Sequence, residues 1–136
     1  MNKSVILAGC GNMGFAMLKG WIDGGVLESG HVSVVEPNEA LRVRAHGLGV
    51  RAIASVAELN PAHVPTLVVI AVKPQSMASV LPDYADMAKR GTAFLSVAAG
   101  VPMKAYETAL GANAAIVRCM PNTPAAIGKG MLVYFN

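Results

Sequence analysis

Charge and aromatic rings are both scarce in this 136-residue sequence: 14% of its residues are Asp, Glu, Lys or Arg, and 5% are Phe, Trp or Tyr. So few rings leave no platform on which nucleic-acid bases could stack. The eleven basic residues run from Lys3 to Lys129 with no cluster beyond the pair Lys89-Arg90, so the net charge of +3 makes no polyanion-binding stripe. That mild excess suits a small anionic ligand instead. The two cysteines, Cys10 and Cys119, lie far apart and form no C-x-x-C, which argues against a metal or redox centre. Cys10 reads as a small residue inside a turn, and Cys119 as a core residue near a strand end. His31, His46 and His63 fall at expected loop or element ends without a motif partner. No apolar run approaches the roughly 18 residues of a membrane span, and Lys3 leads into a short strand rather than a cleavable signal, so the expected compartment is the cytosol. An obvious acid–base pair or nucleophile set is also lacking.

What is present in quantity is apolar surface. At 54% hydrophobic, the chain can bury the core of one domain, residues 1–136, although it is short for a whole dehydrogenase. The most informative stretch is the first. Ser4-Val5-Ile6-Leu7-Ala8 runs into Gly9-Cys10-Gly11-Asn12-Met13-Gly14 and then into a helical pattern. A G-x-G-x-x-G that follows a strand and opens a helix points to dinucleotide binding. Gly9 serves the tight turn, Gly11 the approach of backbone to a pyrophosphate, and Gly14 the close packing of helix on strand. The helix N-terminus then aims unpaired N–H groups and its positive dipole end at the phosphates. A strand-to-helix turn alone would also use glycine. Against that, a second apolar run, Val32-Ser33-Val34-Val35, ends at Glu36, 22 positions after Gly14, where such folds place the acid that reaches the adenosine ribose. Pro37 and Asn38 follow it.

Strands and helices then alternate. The first helix, about Asn12 to Asp23, carries Met13, Met17, Leu18, Trp21 and Ile22 as a core stripe and stops at Gly24-Gly25. Asn38 is positioned to cap a second helix bearing Leu41, Val43 and Ala45, closed by Gly47. Val50 to Ile53 reads as a strand, and Ser55-Val56-Ala57-Glu58 as a capping box. Thr66 to Val72 is a continuous apolar strand of the kind that parallel sheets bury on both faces. A helical stretch from Ser76 to Arg90 follows, bent or interrupted at Pro82. Ala93 to Val97, a helix from about Met103 to Leu110, Ala115 to Arg118, and a last strand from Met131 to Phe135 complete the pattern. The expectation is an α/β fold: a doubly wound, mostly parallel sheet of Rossmann type. Ligands then bind beyond the carboxyl ends of the strands, where Gly9 to Gly14, Glu36 to Asn38, Ala71 to Gln75, Ala98 to Gly100 and Pro121 to Pro124 should converge.

Three of these loops carry a resemblance: Ala71-Val72-Lys73-Pro74-Gln75, Ser96-Val97-Ala98-Ala99-Gly100-Val101, and Arg118-Cys119-Met120-Pro121-Asn122-Thr123-Pro124-Ala125. Together they resemble the pyrroline-5-carboxylate reductases, over nearly the whole chain. The resemblance implies reduction of 1-pyrroline-5-carboxylate to L-proline, the last step of proline biosynthesis, by hydride transfer from NAD(P)H. It implies that the glycine loop holds the pyrophosphate and that Ala71, Val72, Lys73 and Pro74 pass beside the ribose and nicotinamide half. It also implies that Ala98, Ala99 and Gly100, with Asn122 and Thr123, face the nicotinamide. Enzymes of this family continue into a helical domain that dimerises and supplies most of the substrate site. That domain is expected to be absent from these 136 residues, so the chain alone should bind cofactor and turn over little, and no catalytic residue is assigned.

A protonated imine is already electrophilic, so such a protein mainly has to position it and exclude water. The alternatives are a related imine or hydroxyacid reductase and a non-catalytic NAD(P)-sensing module. Between the two nucleotides Glu36 favours NADH: a carboxylate about 4 Å from the NADPH 2′-phosphate is repelled by roughly 4 kcal/mol at an effective dielectric of 20. That should outweigh one favourable contact from Arg42. NADPH remains open if Glu36 turns outward.

Overall fold

The computed structural model describes residues 4–98 and 100–119. Ala99, the turn at Met120 to Ala125 with Asn122 and Thr123, and the expected strand Met131 to Phe135 lie outside them. Six strands form one sheet: β1 (Val5–Ala8), β2 (Val32–Val35), β3 (Arg51–Ile53), β4 (Leu67–Ile70), β5 (Ala93–Ser96) and β6 (Ile116–Arg118). Their order is β3-β2-β1-β4-β5-β6, and every pairing is parallel. The order reverses direction between β1 and β4, so the loops leaving these two strands flank the switch point.

Parallel strands with helices on both faces must be apolar on both, and alternate residues here feed two separate cores. Val5, Leu7, Val34 and Val69 pack with Met17 and Trp21 of α1 (Asn12–Asp23). Ile6, Val68, Ile70 and Phe94 pack with residues 77–87 and with α5 (Met103–Leu110). The intervening helices are α2 (Glu39–His46), α3 (Met77–Val80) and α4 (Ala85–Lys89). Trp21 is fully buried, and truncating such a side chain to alanine costs about 3–5 kcal/mol.

Local signals placed most boundaries. The Asn38 side chain accepts from the Leu41 N–H at 3.2 Å and caps α2. Ser55 and Glu58 form the reciprocal capping box, which starts a single tight turn, residues 56–58. The stretch around Pro82 is broken, with α3 and α4 separated by a tighter turn at residues 81–84. Regular β4 is shorter than the apolar run: Ala71 still bonds to the Ala8 carbonyl, but pairing ends there.

One expected core residue points outward: Met13 is exposed at the mouth of the glycine loop. In α2, Val43 is 62% exposed and only Ala45 is buried, since a helix of eight residues at the sheet margin needs no full apolar stripe. Cys119 packs against the α1-side core just beyond β6, and its N–H donates to the Ser96 carbonyl.

Candidate functional site

The pairing register sets the site. Ile53, Val35, Ala8, Ile70, Ser96 and Arg118 are the last residues of their strands, and they lie side by side across the sheet. All six chains therefore leave the sheet at one level, on one edge. The glycine loop, the Glu36 turn and the Ala71 and Ala98 loops are brought together as expected.

The three glycines do different work. Gly9 has φ +94°, and a Cβ there would lie 2.9 Å from Val72 Cγ1 and 3.0 Å from the Ala71 carbonyl, so only glycine fits between β1 and β4. A Cβ on Gly14 would collide with the Gly9 carbonyl oxygen, which fixes how closely α1 lies on the loop. Gly11 differs from both. Its φ of −69° suits any residue, and a Cβ would meet nothing within 4 Å. It stands at the N-cap of α1 and offers no side-chain cap, so the first-turn N–H groups of Asn12, Met13 and Gly14, which have no acceptor within the helix, are left for another partner. Such a site fits a pyrophosphate: open room at Gly11, uncapped donors and the positive end of a helix dipole.

At the end of β2, Glu36 is 9% exposed. Its Oε1 accepts from the Cys10 N–H and its Oε2 from the Asn38 N–H, both at 2.9 Å. Arg42 Nη1 donates to the carbonyls of Glu36 (2.9 Å) and Pro37 (2.7 Å). Arg44 Nη2 donates to the Cys10 carbonyl at 3.3 Å, with its guanidinium 4.1 Å above the Phe15 ring. The Cys10 thiol is pushed up to about 11, chiefly by burial; Arg44 opposes the shift and Glu36 adds to it. A thiol held neutral in this way is structural rather than nucleophilic.

The other side of the crevice is looser. Ala71 and Val72 are half-buried, whereas Lys73 and Pro74 are exposed, Pro74 opening a tight turn at residues 74–76. The Ala98 N–H donates to Ser96 Oγ at 3.3 Å, and Ser96 shares a buried hydroxyl pair with Tyr106 of α5. Gly100, at φ +74°, turns the chain towards α5. Beside it an apolar groove of about 780 Å³ runs between residues 74–82 and 100–109, with Met77, Leu81, Val101 and Ala105 in its walls. Sequence reasoning missed Arg44, Ser96 and Tyr106 as contributors, because each acts through a partner on another element. Among the described residues, no group of three or more His, Cys, Asp or Glu is placed to hold a metal, and no helix is long and apolar enough to cross a membrane.

Residues 3–100 match the family described as NADP oxidoreductase, coenzyme F420-dependent. The chain is 36% identical to the pyrroline-5-carboxylate reductase of Escherichia coli over 132 residues, which are 96% of this chain and 48% of that protein. Among solved structures it is similar to a pyrroline-5-carboxylate reductase from Coxiella burnetii, with TM-score 0.82, 26% identity, and 93% of this chain and 47% of that one covered. The fold is shared with the Plasmodium falciparum pyrroline carboxylate reductase solved with NADP bound, at TM-score 0.73 and 24% identity over 93% of this chain and 45% of the other. The chain spans about half the length of the curated relatives it matches.

Proposed function

The chain belongs to the NADP oxidoreductase, coenzyme F420-dependent family, and from that premise we propose that it is the cofactor-holding half of a pyrroline-5-carboxylate reductase acting in the cytosol. The observation that carries this reading is the 36% identity to the Escherichia coli enzyme along 96% of the chain. The open cradle at Gly11 supports its cofactor half.

NAD(P)H is the cofactor, and when bound it supplies the hydride that reduces the C=N carbon of 1-pyrroline-5-carboxylate to give L-proline. The protein's own work is placement. Gly9 to Gly14 hold the pyrophosphate through backbone N–H groups. Glu36, Pro37 and Asn38 border the adenosine ribose. Ala71 to Pro74, Ala98 to Gly100, Asn122 and Thr123 form the nicotinamide side, and Lys73 adds a cation close to the phosphates. The remainder of the substrate site, and the contacts of a homo-oligomer, come from a helical domain of the kind the resemblance implies.

Between the two nucleotides NADH is preferred. Two backbone N–H groups hold the Glu36 carboxylate where it is, so it does not readily swing away from a 2′-phosphate. Titrating the purified chain with NADH and with NADPH, and assaying it for pyrroline-5-carboxylate reduction, tests the whole reading. NADH binds more tightly, Glu36→Ser narrows the gap, and turnover is slight. Turnover comparable to a full-length relative, or no nucleotide binding at all, contradicts it.

A further inference from the structure

Glu36 is engaged before any ligand arrives. A buried carboxylate is costly unless hydrogen-bonded, and here each oxygen already accepts a backbone N–H. The bond to Cys10 spans 26 positions of sequence and ties the glycine loop to the end of β2. The bond to Asn38 shapes the turn that enters α2. From α2, Arg44 reaches back to the Cys10 carbonyl, so both polar backbone atoms of Cys10 are held by side chains. Arg42 fixes the carbonyls of Glu36 and Pro37 in the same knot.

We propose that Glu36 is a positioning residue, a clasp that sets the shape of the phosphate cradle in the free protein and thereby governs its affinity for the diphosphate itself. This rests on reading the glycine loop as a dinucleotide site, and goes beyond contact with the ribose. An acid that only read ribose hydroxyls would leave the loop indifferent to its loss. Plain electrostatics would even favour an anion once the negative charge was removed. The clasp predicts the opposite sign: without it the N–H groups of the loop lose their alignment, and a bare diphosphate binds less well.

The experiment uses inorganic pyrophosphate, which has no ribose to hold, with amide hydrogen exchange on the ligand-free chain. In Glu36→Ser, exchange at the Cys10 amide rises at least tenfold while Leu7 and Val34, inside the strands, keep their protection, and pyrophosphate affinity falls at least threefold. Glu36→Gln, which keeps the size and one acceptor oxygen, falls between the two. Unchanged protection at Cys10, or pyrophosphate affinity that holds or rises, overturns the clasp. A native chain that binds neither NADH nor pyrophosphate overturns the cofactor reading and with it the control of diphosphate affinity, whereas a native chain that binds both while Glu36→Ser leaves Cys10 exchange and pyrophosphate affinity unchanged overturns the clasp alone.

Discussion

At the end of the crevice proposed for the adenosine, side chains bind backbone to backbone: Glu36 holds two N–H groups, and Arg42 and Arg44 hold three carbonyls. At the end proposed for the nicotinamide, Lys73, Pro74 and Gly100 are exposed, and side-chain restraint comes from the Ser96–Tyr106 pair acting on the Ala98 N–H and from Arg118, whose Nη1 donates to the Val101 carbonyl at 3.1 Å. The first end has its shape before a nucleotide arrives. The second offers surfaces that a nucleotide and further protein can order against. A preorganised phosphate cradle loses less entropy on binding, so most of the cofactor affinity should come from the adenosine and diphosphate half. ADP-ribose should therefore bind nearly as well as NADH.

The largest way to break that difference is Gly14→Ala. The new Cβ collides with a backbone oxygen that cannot rotate away, so α1 must shift from the loop at a cost of about 3 kcal/mol. Thermal unfolding checks this, and an unchanged midpoint would mean that the loop and α1 are not closely packed.

Next comes the pH limb set by Cys10. Its thiol is raised from 9.0 to about 11 in the fold, so the unfolded chain ionises first. The stability it contributes is full below pH 9 and is lost as pH climbs towards 11, by roughly 2 kcal/mol, since each pKa unit is worth about 1.4. The buried Tyr84 hydroxyl is also pushed up, by burial and then by Asp83, and adds its own alkaline loss. The difference between native protein and Cys10→Ala in denaturant melts from pH 8 to 11 isolates the thiol. Parallel curves would place Cys10 in a wetter setting than the fold gives it.

At the looser end, Tyr106→Phe removes one buried hydroxyl partner from Ser96, worth about 1 kcal/mol. NADH affinity should fall less than tenfold, because the anchoring half is untouched. A larger loss would put the weight of binding at the nicotinamide end.

These contrasts also mark what a sequence can carry. The glycine spacing, the Asn38 cap and the Ser55–Glu58 box were readable because each is local, formed by residues a few positions apart. The strand order follows from alternation and crossover handedness, which leave few arrangements. Glu36 was found by its spacing, yet its hydrogen-bond partners were not, since a bond across 26 residues exists only once β1 and β2 lie side by side. For the same reason Arg44 over Phe15 and Tyr106 on Ser96 left no sequence trace. Met13 was read as core from the helical period, yet it is exposed where α1 opens at the glycine loop.

Gly11 is the one glycine of the motif whose side-chain space is empty. In Gly11→Val the added methyl groups meet no protein atom near their Cβ, and the fold loses no more than a weak helix cap, about 1 kcal/mol. NADH titration of that variant, alongside its melting curve, is the most direct measurement. The prediction is a near-native melt with affinity down at least about a hundredfold, close to 3 kcal/mol at 1.4 per tenfold. Native affinity in a folded Gly11→Val chain would show that the diphosphate does not lie against this loop.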